Sequence, residues 1–137
     1  MKLFLMAPLI FISALSHGAA QYSSKELMTS LLEGNQRFVE GDLGGGERDF
    51  LRRTTHANSN PHLSLEKSPN VGACNVIIQT LSVPNIPMAN GKSAGDWVIK
   101  SKVAICPDGK FPIGLKPSEV LSCKIGSVDC TKFGVPN

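Results

Sequence analysis

Residues 97–105, Trp97-Val98-Ile99-Lys100-Ser101-Lys102-Val103-Ala104-Ile105, decide the fold class. Trp97, Ile99, Ser101, Val103 and Ile105 alternate with Lys100 and Lys102, the two-residue period of a strand with one face buried. Upstream, Val76-Ile77-Ile78 with Thr80, Leu81 and Val83 is β-branched and apolar. It predicts a central strand ended by Pro84 and Pro87. Asn90-Gly91 marks a turn between the two, and Pro107-Asp108-Gly109 marks another directly after Cys106. Residues 111–115 are expected to form a short strand that Pro112 confines to an edge, and residues 120–125 the last strand, holding Cys123. Residues 70–137 therefore read as a mainly β unit: a small disulfide-stabilised β-sandwich or barrel-like module.

Two further segments precede it. Residues 23–40, SSKELMTSLLEGNQRFVE, have Leu27, Leu31, Leu32, Asn35 and Val39 on one helical face, and Glu26 three residues after Ser23 makes a capping box. An N-terminal amphipathic helix is expected across 21–41; Gly34 interrupts its stripe, so the helix either ends or bends there or runs on to Gly41 as its left-handed terminal residue. Residues 42–69 contain Gly44-Gly45-Gly46, a charged run of mixed sign and a polar stretch with two prolines. They read as a flexible linker that could also serve as a propeptide, with a short helical turn open over Glu47–Arg53. Phe50, Leu51, Leu63 and Leu65 are its apolar anchors.

The compartment follows from the first twenty residues. Lys2 precedes an apolar stretch from Leu3 to Leu15, and Gly18, Ala19 and Ala20 are small, the pattern of a secretory signal peptide. The stretch falls short of the roughly 20 apolar residues that span a bilayer, and no membrane insertion is expected. The chain is read as secreted and extracellular, with a mature form beginning near Gln21. Export exposes thiols to oxidation, so Cys74, Cys106, Cys123 and Cys130 predict two disulfides. Three connectivities are open, and a bridge closing the domain from Cys74 to Cys123 or Cys130 is favoured. The intervals between cysteines, 31, 16 and 6 residues, lack the close pairs of a zinc site, so neither metal nor other cofactor is expected.

The formal net charge is +3 including Lys2, too small to imply a nucleic-acid partner. Its distribution is uneven. Residues 21–69 hold six basic and seven acidic side chains, whereas residues 70–137 hold seven lysines and four acids. Lys100 and Lys102 share one side of a strand and could meet an acidic surface; lysines there also protect a sheet edge from aggregation. Lys110 beside Phe111 sits on a loop after a cysteine-anchored turn, the kind of loop that protease inhibitors and channel blockers use. Arg52-Arg53 is a dibasic pair that a processing protease could cut in an extended backbone. His56 and His62 have no third ligand nearby in sequence, and Gly-x-Ser-x-Gly is absent.

Residues 31–41, LLEGNQRFVEG, resemble the N-terminal helix segment of many bacterial β-class carbonic anhydrases. That family's zinc motif, Cys-x-Asp-x-Arg followed by His-x-x-Cys, does not occur here, so no residue or activity carries over. The spacing of Cys106, Cys123 and Cys130 around Gly109 is similar to complement-control modules, without the tryptophan expected before the final cysteine. The residues themselves support a secreted, non-enzymatic binding protein, effector-like, toxin-like or defence-related, that acts on an extracellular protein. Two alternatives stand beside it: a precursor cut after Arg53 that releases the C-terminal domain, and a small secreted hydrolase using His56 or His62.

Overall fold

A computed structural model describes residues 20–88, 90–125 and 128–129. The expected signal peptide and Cys130 lie outside the described residues, apart from Ala20 at the leader's end. The elements in chain order are β1 (Gln21–Tyr22), α1 (Ser24–Glu33), β2 (Phe38–Leu43), α2 (Gly45–Thr55), β3 (His62–Val71), β4 (Cys74–Val83), β5 (Trp97–Ile105), β6 (Ser118–Ile125) and β7 (Val128–Asp129). The strands form one sheet in sequence order, β1-β2-β3-β4-β5-β6-β7. Only β1 pairs in parallel, placing Gln21 beside Asp42; the rest is an antiparallel meander. The fold is mainly β, and the sheet is open.

Alternation along the strands separates the two faces. Val39, Leu43, Leu63, Leu65 and Ile77 point to one face, where Leu27 and Leu31 of α1 and Leu51 of α2 pack on them. Leu31, Leu65 and Ile77 are completely buried, each contributing about 1.5–3 kcal/mol by leaving water. The opposite face carries Glu40, Asp42, His62, Glu66, Lys100 and Lys102, and neither described helix covers it.

Helix α1 starts on a complete capping box: Ser23 Oγ accepts from the Glu26 N–H at 3.1 Å, and Glu26 Oε2 accepts from the Ser23 N–H at 2.8 Å. It does not run on to Glu40. Gly34 caps it, its N–H donating to Ser30 O at 3.0 Å, and the chain turns into β2. Val39 reaches the core as a strand residue opposite Leu65, so the carbonic-anhydrase-like segment runs from the last turn of α1 through a bend at residues 34–37 into β2. Gly41 is not a helix terminus either. It lies in mid-strand under the Tyr22 ring, and a β-carbon there would stand 2.5 Å from Tyr22 Cδ2.

The expected linker over 42–69 is largely ordered as secondary structure. Gly44 begins α2 as its N-cap, and its N–H donates to Tyr22 O at 3.0 Å. Leu63 and Leu65 alternate with Ser64 and Glu66 to form β3 between β2 and β4. Pro69 is tolerated because the β3–β4 register slips between Ser68 and Val71. The β4 and β5 strands end at Val83 and Ile105, at the proline and cysteine boundaries of the sequence. Residues 111–115 form turns rather than a strand; Leu115 N–H donates to Pro112 O at 3.0 Å.

Candidate functional site

The disulfide joins Cys74 to Cys106, with Cα atoms 4.2 Å apart. This corrects the expected pairing of Cys74 with Cys123 or Cys130. Asn75 faces Ile105 in the β4–β5 register, so the next residues outward, Cys74 and Cys106, meet across the ladder. Cys123 stands two strands from β4, opposite Ile99. It is also disulfide-bonded, and Trp97 Nε1 donates to its Sγ at 3.4 Å. None of the described cysteines is a free thiol, a state compatible with an extracellular protein.

The Cys74–Cys106 bridge clamps one end of the sheet. There the β3–β4 turn and the loop from Pro107 to Pro117 lie side by side. Cys74 Sγ is 3.9 Å from Lys110 O, and a β-carbon at Gly72 would be 4.0 Å from Pro112 Cγ. Gly109 N–H donates to Cys106 O at 3.1 Å, tightening the start of the loop. From this end project Val71, 41% exposed, Phe111, 38% exposed, and Ile113, which is wholly exposed. Lys110 and Lys116, also exposed, flank the two apolar tips of the long loop. Apolar groups held in water by a cross-braced backbone are costly unless something covers them. The arrangement can bind another surface at low ordering cost, since the disulfide has already restricted the loop.

The other expected site residues fall elsewhere. Lys100 and Lys102 lie on β5 on the face away from α1, opposite Thr80 and Ile78. Lys102 forms an ion pair with Glu119 at 3.8 Å. Neither lysine joins Lys110 and Phe111. Arg52 and Arg53 occupy the last turn of α2, not an extended loop. Arg52 is pinned, donating to Ser59 O at 3.2 Å and Asn60 Oδ1 at 2.6 Å. A protease would have to unwind this helix, and the cut would separate α1 and β2 from β3.

His56 caps α2 in the left-handed region, at φ 57°, with its side chain in solvent. His62 does find acids: its Nδ1 is 2.9 Å from Asp42 Oδ1, and its Nε2 is 3.2 Å from Glu40 Oε2. The hydrogen bond to Asp42, aided by Glu40, raises the His62 pKa above its ordinary value against a smaller opposing effect of burial. The two carboxylates sit on opposite ring nitrogens, so the three groups do not converge on one point. Among the described residues no group of three or more such side chains could hold a metal ion. A groove of about 640 Å³ between α1, β1 and β2 is lined by Tyr22, Leu27, Phe38 and Val39, without a histidine or cysteine. Among the described residues no helix is long and apolar enough to cross a membrane.

Sequence reasoning missed Ile113 and Val71 in the braced end. Ile113 carries a usable signal, because it is an isolated branched apolar residue between Pro112 and Gly114 in a loop that cannot bury it. Comparisons with known protein families, curated proteins and solved structures match none of them to this chain.

Proposed function

We propose that this chain is a secreted, non-enzymatic binding protein that docks an extracellular protein through the disulfide-braced end. The observation that carries this reading is the complete exposure of Ile113, beside Phe111, on a loop anchored at Cys106. Interfaces draw most of their affinity from a few apolar anchors at their centre, and lysines at the rim steer approach toward an acidic surround. Ile113 and Phe111 are the anchors in this reading; Lys110 and Lys116 are the rim.

The test is affinity capture of extracellular proteins on the oxidised chain, compared with Ile113→Asp and Phe111→Asp. Each substitution lies on an exposed position and leaves the circular dichroism spectrum unchanged. A partner held by the parent chain and weakened at least tenfold by either variant supports the reading. Capture that is indifferent to both variants, or that survives reduction of Cys74–Cys106 unchanged, overturns it.

A further inference from the structure

We propose that two copies of this chain associate face to face through the uncovered side of the sheet, about a two-fold axis that runs along β4. The register places the charges of that side in rows across five strands. One row reads Asp42, His62, Ser82, Val98, Lys124; the next reads Glu40, Ser64, Thr80, Lys100, Ser122; the third reads Phe38, Glu66, Ile78, Lys102, Glu119. Every row has an acid on β2 or β3 and a lysine on β5 or β6. The middle strand, β4, contributes only Ser82, Thr80 and Ile78.

This distribution is self-complementary in one orientation only. Rotation by a half turn about an axis parallel to β4 turns the face over and exchanges its left and right sides. Asp42 then meets the level of Lys124 on the second copy, Glu40 that of Lys100, and Glu66 that of Lys102. Rotation about an axis across the strands would set acid on acid and lysine on lysine. Closed pairing through the same patch on both subunits is the commonest form of oligomer, and aligned sheets pack about 10 Å apart.

Two further observations favour a second copy as the occupant. Glu40, Glu66, Lys100 and Lys124 are exposed. Among the described residues Glu66, Lys100 and Lys124 make no ion pair within the chain. The three rows span about five residues on each of five strands. At roughly 4.8 Å between strands and roughly 3.3 Å per residue they offer about 400 Å² per copy, half of the roughly 800 Å² per partner of a standard interface and the size of a weak association. The disulfide and the loop it anchors lie on the same side of the sheet one row beyond Ile78 and Lys102, at Val76 and Ala104, so the proposed contact is confined to the three rows above them.

Sedimentation velocity of the oxidised chain, at low and high salt, reads the association directly. A dimer is expected whose dissociation constant rises at least tenfold between about 50 and 500 mM NaCl, because exposed pairs are screened. Lys100→Glu with Lys124→Glu sets acid opposite acid in two of the three rows and abolishes the dimer. Glu40→Lys with Glu66→Lys does the same with opposite sign, and mixing the two double variants restores a heterodimer. Circular dichroism confirms that each variant is folded. A chain that stays monomeric at low salt and about 200 µM, well above a weak interface's dissociation constant, overturns the proposal. So does association that persists in the Lys100→Glu, Lys124→Glu variant, or two double variants that ignore one another.

Discussion

The two ends of this sheet are held by different forces. Around β2, β3 and the nearby half of β4, leucines from two helices close over the sheet, and Leu31, Leu65 and Ile77 lose all contact with solvent. At the Cys74–Cys106 end, the buried apolar groups beside the bridge are small: Val76 and Ala104, facing each other across the ladder. Beyond them the loop from Pro107 to Pro117 exposes its large apolar side chains. Packing holds the first region; a covalent bond replaces packing in the second. With Phe111 and Ile113 left in solvent, that end has no large apolar side chain to bury beside the bridge, and the disulfide holds β4 and β5 together there.

Substitutions at the two ends should therefore fail differently. Leu65→Ala opens a cavity in the helix-covered region and is expected to cost about 4 kcal/mol, measured as a lower midpoint in urea with helix and sheet signals lost together. Separate transitions for helix and sheet would show that the two regions are not one cooperative unit. Replacing Cys74 and Cys106 together by serine should cost about 3 kcal/mol through the freed 32-residue loop. Hydrogen exchange should then rise most at the β3–β4 turn and along residues 107–117. Protection unchanged in those loops would remove the bridge as their support.

Smaller effects sharpen the contrast. Ser23→Ala removes one side of the α1 capping box and should lower stability by about 1 kcal/mol, with Cys74–Cys106 untouched. His62 provides the pH dependence. Its folded pKa lies above the unfolded value near 6.5. Its stabilising contribution is thus complete below that value and is lost as pH rises through the raised folded pKa. The side chains are exposed enough for solvent to reduce the effect to well under 1 kcal/mol. Titration of the His62 ring by NMR should give a midpoint above 6.5, returning toward it in Asp42→Asn; a midpoint at or below 6.5 in the parent chain would remove the bridge to Asp42.

Legibility in the sequence follows the same division. Strands β4 and β5 could be read almost to the residue, because β-branched runs are bounded by Pro84, Trp97 and Cys106. The capping box of α1 was equally readable, since Ser23 and Glu26 need only each other. What could not be read is what distant partners decide. Phe38 and Val39 suit a helix face or a strand, and β3 alone selects the strand by lying opposite them. Leu63 and Leu65 alternate correctly but are flanked by Pro61 and Pro69, so composition suggested a linker where the register made a central strand. The disulfide was misread because counting loop lengths ignores which residues a ladder sets opposite one another. The braced end was half visible in Lys110 and Phe111. Its completion by Val71 needed the β3–β4 turn, and the rows of opposed charge needed the pairing of five strands.

The contact between Trp97 and Cys123 has an optical consequence. An excited indole loses its energy readily to an adjoining oxidised sulfur, and Trp97 is the chain's single tryptophan. The folded protein should be dim when excited at the indole band and brighten as β5 and β6 part or as Cys123 is reduced. Every molecule thus carries its own lamp at the far side of the sheet, reporting on that corner while Cys74 and Cys106 remain dark.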